Sequence, residues 1–331
     1  MRNVLLLLLL TSFTAKSFAS EAQIKVIYGE DDRKDLYDGV DEERLNLAKS
    51  TAAMIPNGRV VSLNSEEVKL VGESLESTGV CSHERFAAQP TAANCSGFLV
   101  GKNKLVTAGH CVTSESSCKS SSWVFDYKVD FEDQSEVIVN KKSVYKCSKI
   151  ISRELNNSTD NDYALIELDR EVLDREVLKV RKSGTPKVSD KIFVIGHPSG
   201  LPTKLTDNGV IRSVNDVFFV TNLDTYGGNS GSAVFNATSK LIEGILVRGE
   251  TDYNYDRTLN CRVSNRVLSH EGRGEDVTLI KMVKGVLDLE EQEDEVVVVP
   301  APEPTPVPTP APKPPREETW WDRFLAWLRN R

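Results

Sequence analysis

A serine set among glycines stands out in Gly227-Gly228-Asn229-Ser230-Gly231-Ser232, between strand-like runs at 217–222 and 233–235. Acyl transfer needs such an arrangement: an exposed hydroxyl, and backbone N–H groups free to point at a developing oxyanion. Glycine permits the tight turn because it accepts positive φ and lets a substrate carbonyl approach the main chain. Alone, the string reads better as a loop of small residues. Two further stretches supply what a serine nucleophile requires. Leu105-Val106-Thr107-Ala108-Gly109-His110-Cys111 ends an apolar run on a histidine, a candidate general base. Asn161-Asp162-Tyr163-Ala164-Leu165-Ile166 opens another run with an aspartate, a candidate for fixing the imidazole tautomer and stabilising its charged form. Asp160 competes for that role, but only Asp162 directly precedes the strand-like run.

The chain order His, Asp, Ser distinguishes this set from subtilisins and α/β-hydrolases. On these motifs the sequence resembles the secreted trypsin-like serine proteases of the chymotrypsin superfamily, closest to the bacterial branch that contains the glutamyl endopeptidases, from about Val26 to about Leu289. The resemblance implies an all-β fold of two tandem antiparallel six-stranded barrels with a C-terminal helix. It places His110 and Asp162 on the first barrel, Ser230 on the second and the site in the cleft between them. The N–H groups of Gly228 and Ser230 are then the expected oxyanion hole.

The elements that must position these residues are legible as short runs rich in β-branched and aromatic residues, at 60–63, 97–100, 104–107, 122–125, 136–139, 144–151 and 164–168, then at 191–195, 209–214, 218–222, 232–235 and 241–247. Such spacing fits antiparallel barrels. Residues 41–50 suit a short helix. Residues 275–289 carry Val277, Ile280, Val283, Val286 and Leu287 on one helical face, which predicts the closing helix of the fold.

Superfamily spacing puts the base of the primary specificity pocket six residues before the nucleophile, at Asp224, with Thr225 beside it and Leu246 to Gly249, including Arg248, as the opposite wall. The glutamyl endopeptidases use a histidine where this chain has Leu246. An acid at Asp224 favours Lys or Arg before the scissile bond. Arg248 leaves two other outcomes open: pairing with Asp224 to give a neutral pocket, or itself receiving Glu. His197, in Gly196-His197-Pro198, reads as a loop histidine with a structural hydrogen bond. No metal site or cofactor is expected.

The 331 residues divide into a signal peptide (1–20), an N-terminal segment (21–47) with a short propeptide to residue 25, a protease domain (48–289), an acidic then Pro-rich linker (290–318) and a Trp-rich tail helix (319–331). Val26-Ile27-Tyr28-Gly29 resembles the mature N-terminus of the glutamyl endopeptidases, which lies near the specificity pocket; the alternative is an unprocessed arm. Export, to the periplasm or outside the cell, favours disulfides for the six cysteines. The resemblance implies Cys95–Cys111; Cys118 and Cys147 form a local pair, and Cys81 and Cys261 pair by elimination. A net charge of −8 disfavours nucleic acid as a partner. Residues 300–315 hold nine of the 14 prolines and suit a polyproline II spacer on the order of 50 Å long. Beyond it, Trp320, Trp321, Phe324, Leu325, Trp327 and Leu328 fall on one face of a helix, a surface for a membrane or a partner protein, or one that folds back on the body. Two functions therefore stand: a serine endopeptidase acting on proteins or peptides, or a non-catalytic binder built on a protease scaffold.

Overall fold

The computed structural model describes residues 27–132, 134–289 and 318–330. The proposed signal peptide, the Lys25–Val26 junction and most of the linker lie outside them.

Six strands close the first barrel: β1 (Thr51–Pro56), β2 (Cys95–Gly101), β3 (Lys104–Thr107), β4 (Ser121–Val124), β5 (Val144–Asn156) and β6 (Asn161–Leu168). Their order around it is β4-β5-β6-β3-β2-β1, with β4 pairing back to β1. The second barrel has β7 (Lys191–Gly196), β8 (Lys204–Val214), β9 (Phe218–Thr221), β10 (Ala233–Asn236), β11 (Ile242–Arg248) and β12 (Glu275–Leu279). It runs β7-β10-β11-β12-β9-β8 and closes through β7–β8. Closure leaves neither barrel with an open edge.

Alternation along the strands explains the seam between the barrels. On β7, Ile192 and Val194 enter the interior of the second barrel, while Phe193 and Ile195 join a cluster shared with Phe98, Leu165 and Trp123 of the first. β10 divides in the same way, with Val234 inside and Ala233 and Phe235 outside. Strands buried on both faces read as continuous apolar runs rather than alternating ones, and the seam they form is a packed, rigid floor for a site.

One expected element is corrected. Residues 275–289 do not form a helix: 275–279 are β12, Ile280–Met282 make one 3-10 turn, and Gly285 has φ of 89°. The apolar spacing there serves two elements in succession. Val277 and Leu279 fill the second barrel, whereas Ile280, Val283 and Val286 reach the core of the first. Without β12, both β9 and β11 would lose a ladder partner. The helix expected near residues 41–50 is present as α1 (Glu42–Lys49), capped by Asp41, whose side chain accepts the Arg44 N–H.

The N-terminal segment belongs to the second barrel. Ile27–Tyr28 pairs in parallel with Arg266–Val267, and Arg33–Asp35 adds to β8. Arg33 and Lys204 are buried cations with partners: Arg33 on Asp31 at 2.7 Å and Lys204 on Asp35 at 2.6 Å. Stripping either partner would leave an uncompensated buried charge, which is why such pairs resist loss of one member. Three disulfides join Cys81 to Cys261, Cys95 to Cys111 and Cys118 to Cys147.

Residues 318–330 are described by themselves. Thr319 caps α2 (Trp320–Arg329), taking part in a capping box with Asp322. Its aromatic residues stack on one another, Trp320 on Phe324 at 5.3 Å between ring centroids. Among the described residues, no helix is long and apolar enough to cross a membrane.

Candidate active site

His110 follows β3, and the turn before it depends on Gly109, where a Cβ would collide with the carbonyls of Glu154 and Tyr163. Asp162 opens β6 and is buried at 2 % exposure. Its Oδ2 lies 2.7 Å from His110 Nδ1, and its Oδ1 accepts the His110 backbone N–H at 3.0 Å. An ionised carboxylate only accepts, so it selects the tautomer with the proton on Nδ1 and leaves the Nε2 lone pair available as a base. Asp160, in contrast, is exposed and lies 3.8 Å from Arg248.

Ser230 is brought to the same place through its main chain. Its carbonyl accepts the Ser96 N–H at 2.8 Å and lies 3.7 Å from Sγ of Cys111, the residue after His110. Gly231 (φ 90°) donates its N–H to Leu246, and a Cβ there would strike Ser96 O and Thr107 Oγ1. The serine loop is thus clamped between β2, the end of β3 and β11.

A second clamp holds the loop before the serine. Gly228 has φ of 95°, and a Cβ on it would meet the His197 carbonyl and the Gly200 N–H. Ser199 donates its N–H to Gly227 O at 2.5 Å, and Ser96 Oγ donates to Gly228 O at 2.9 Å. His197 is fully buried, its Nδ1 2.9 Å from Ser96 Oγ and its Nε2 3.1 Å from Thr203 Oγ1. Burial pushes its pKa down to about 3, so the ring is neutral. The neutral ring has two arrangements: a proton on Nδ1 leaves the Ser96 O–H for Gly228 O and the Thr203 O–H for Nε2, whereas a proton on Nε2 leaves the Thr203 O–H for Tyr127 O at 2.8 Å and the Ser96 O–H for Nδ1. The Ser199 bond fixes the Gly227 carbonyl, and a trans peptide plane then holds the Gly228 N–H pointing the opposite way. Sequence reading had seen His197 as a loop residue; its link to Gly228 has no sequence signal, since Ser96 is a strand residue far away in the chain.

The specificity pocket departs from expectation. Asp224 does not line the cleft beside Ser230: its Oδ1 accepts the Tyr28 N–H at 2.7 Å and its Oδ2 the Asp32 N–H at 3.0 Å. The carboxylate faces the N-terminal segment because two unpaired backbone donors there need an acceptor. Arg248 lines that cleft, as the expected opposite wall does, and does not pair with Asp224. Its Nε lies 3.2 Å from Asp276 Oδ2, and its Nη2 donates to Asp160 O at 2.9 Å. The cleft beside Ser230, about 140 Å³, is lined by Thr225, Gly249, Asp252 and Glu275 among others. Leu246 borders it from the second-barrel core. Glu275 was missed because residues 275–289 read as a helix. A larger hollow of about 550 Å³ beside α1 contains Arg175, already paired with Asp126 and Asp174. Cys95, His110 and Cys111 cluster closely enough to suggest a metal, but the two sulfurs are joined to each other and offer no thiolate.

Residues 95–242, which carry all three of these side chains, match the model of the trypsin-like peptidase domain. The chain is 29 % identical over 134 residues to Trypsin Blo t 3 of Blomia tropicalis, covering 37 % of this chain and 47 % of the relative, so it matches about half of that protein's length. Among solved structures, it is similar to a Glu endopeptidase in complex with MPD, at 16 % identity and a TM-score of 0.46, covering 81 % of this chain and 99 % of the other. It is also similar to a human heparin binding protein, at 14 % identity and a TM-score of 0.46, covering 85 % and 100 %. The matched segment stops at residue 242, before the wall of the cleft formed by Gly249, Asp252 and Glu275.

Proposed function

We propose that the chain is a serine endopeptidase. Ser230 Oγ attacks the scissile carbonyl carbon while His110 Nε2 takes its proton, and the carbonyl π electrons move onto the oxygen. The N–H groups of Gly228 and Ser230 receive that oxyanion. Collapse breaks the C–N bond, His110 returns the proton to the leaving amine, and water then hydrolyses the acyl-enzyme by the same exchange. Asp162 remains ionised and holds the imidazole. The observation that carries this reading is the double hydrogen bond between Asp162 and His110, on a turn to which the Ser230 loop is clamped. A serine-directed fluorophosphonate should label the protein on Ser230; no label on processed protein would favour the non-catalytic binder.

Export belongs to the same proposal. The three disulfides suit an oxidising compartment. We also propose that α2 attaches the protein to a membrane surface: Trp320, Trp321 and Trp327 are each more than half exposed, and tryptophan favours the membrane–water boundary. Removal of residues 300–331 should release the protein from membrane fractions; unchanged fractionation would overturn the attachment.

A further inference from the structure

We propose that Tyr253 and Asp252 are positioning residues for the oxyanion hole, holding the peptide between Gly227 and Gly228 from a hairpin outside the serine loop. The proposal rests on the peptidase reading above and assigns to that site a brace that neither the triad nor the serine loop supplies.

The peptide in question joins two glycines, and Gly228 stands at φ of 95°. With no Cβ on either side, it is the peptide of this loop that rotates with least resistance. A half-turn would carry the Gly228 N–H off the site of attack and bring the Gly227 carbonyl toward it, replacing a donor by an acceptor where negative charge develops. Holding the donor in place therefore falls to groups outside the loop.

Two hydrogen bonds oppose that rotation, one on each polar group of Gly227. Asp252 Oδ2 accepts the Gly227 N–H at 2.8 Å, and Ser199 N–H donates to Gly227 O at 2.5 Å. Ser199 is itself in the left-handed region, at φ 54° and ψ 19°, which serine seldom adopts. Its Oγ lies 2.7 Å from Tyr253 Oη. Such a conformation persists only where its surroundings over-determine it, and the Tyr253 hydroxyl supplies that hold from the side chain. Both grips on Gly227 thus trace to two adjacent residues, one directly and one through Ser199.

Those two residues are themselves fastened. Tyr253–Asp256 pairs with Cys261–Ser264, and Cys261 is bonded to Cys81. Asn265 donates its backbone N–H to Asp252 O at 3.3 Å, and its side-chain oxygen accepts the Asn254 amide at 2.8 Å. The Tyr253 ring lies 5.0 Å from the Tyr226 ring and packs against the cluster of Leu75, Val80 and Leu201. Ring packing therefore places the hydroxyl, and it remains when the hydroxyl is removed.

Tyr253→Phe is accordingly the central test. Losing a direct oxyanion donor costs about 10²–10³ in kcat, so loosening the peptide that carries one should cost on the order of tenfold. KM should stay nearly unchanged on one peptide chosen from a mixed library for turnover by the wild-type protein. Fluorophosphonate labelling of Ser230 should slow in parallel, because phosphonylation builds charge on an oxygen in the same place. Ser199→Ala should lose as much, and its combination with Tyr253→Phe little more, since both remove one hydrogen bond. Tyr255→Phe, on the same hairpin but with its hydroxyl on Asn260, is the control and should leave both rates as they are. For the other grip, Asp252→Asn keeps an acceptor oxygen and should label faster than Asp252→Ala. The proposal is overturned by unchanged kcat and labelling in Tyr253→Phe, by a loss that Tyr255→Phe reproduces, by losses that multiply in the double variant, or by equal labelling of the two Asp252 variants. Failure of the peptidase reading would look different: no labelling of Ser230 and no cleavage of any peptide by the wild-type protein.

Discussion

Asp162 accepts two hydrogen bonds from His110, one from its ring and one from its main chain. The backbone bond fixes where the carboxylate lies, and the ring bond fixes which nitrogen carries the proton. Asp162→Asn would preserve shape and the backbone contact but offer an amide that can orient the opposite tautomer. We predict a loss of kcat near 10⁴-fold, the size seen for this substitution in the well-studied Ser-His-Asp template, with little change in KM. Ser230→Ala and His110→Ala should each abolish nearly all hydrolysis, and the double variant should lose little more, because the groups act as a unit. Multiplying losses would show that they do not.

The chain His197 to Ser96 to Gly228 makes a separate prediction about the oxyanion loop. Ser96→Ala removes the donor that holds the Gly228 carbonyl, leaving the backbone of β2 intact. Deleting a direct oxyanion donor costs about 10²–10³ in kcat, so releasing a brace behind one should cost less, on the order of tenfold. The loss should fall on kcat with KM nearly unchanged, and phosphonate labelling of Ser230 should slow in parallel. A purely structural serine would lower the melting temperature and leave the rate of the folded fraction unaltered.

The Cys95–Cys111 bridge ties β2 to the turn that carries His110, closing a sequence separation of 16 residues. Chain entropy alone assigns such a loop about 3 kcal/mol. Replacing both cysteines by alanine should therefore lower unfolding free energy by roughly that amount in urea titration, and activity at low temperature should fall as the His110 turn loosens. Unchanged stability would mean that the packing of β2 and β3 constrains the turn without the bridge.

How much of this was legible depends on where the information lies. His110 and Asp162 stand at the ends of strands that announce themselves by β-branched runs, and Ser230 sits in glycines whose positive φ the loop requires. The barrels were legible for the same local reason. The far wall of the cleft beside Ser230 was not, because Glu275 comes from β12, whose apolar spacing through Val277, Ile280 and Val283 imitates a helix while serving a strand and then a turn. Asp224 misled for a different reason. Its position relative to Ser230 was readable, but the two N–H groups of Tyr28 and Asp32 that capture it lie almost two hundred residues earlier. Local patterns cannot report a partner supplied by the N-terminal segment.

The buried acids around that segment make the last prediction, on stability against pH. Burial raises Glu275 to about 8, and Asp224 and Asp252 each to about 6. A carboxyl whose folded pKa exceeds its unfolded value binds more protons in the native state than in the unfolded one. Stability then falls as pH rises from the unfolded value through the folded one. The three groups act in the same direction between about pH 4 and about pH 8. Two groups have the opposite sign: Lys204, lowered to about 8, contributes only above that value, and His197, lowered to about 3, offsets the acids only up to its unfolded value near 6.5, whereas Glu275 acts to about 8. Asp31, held below the usual carboxylate range by Arg33, loses its contribution only in more acid solution. The melting temperature should therefore be higher near pH 5.5 than near pH 8, against the common expectation for acid-rich proteins. Glu275→Gln should flatten the upper half of that slope, since the amide keeps the shape and carries no titrating proton. A melting temperature that rises steadily from pH 5.5 to pH 8 would show that these acids are not held in the buried state.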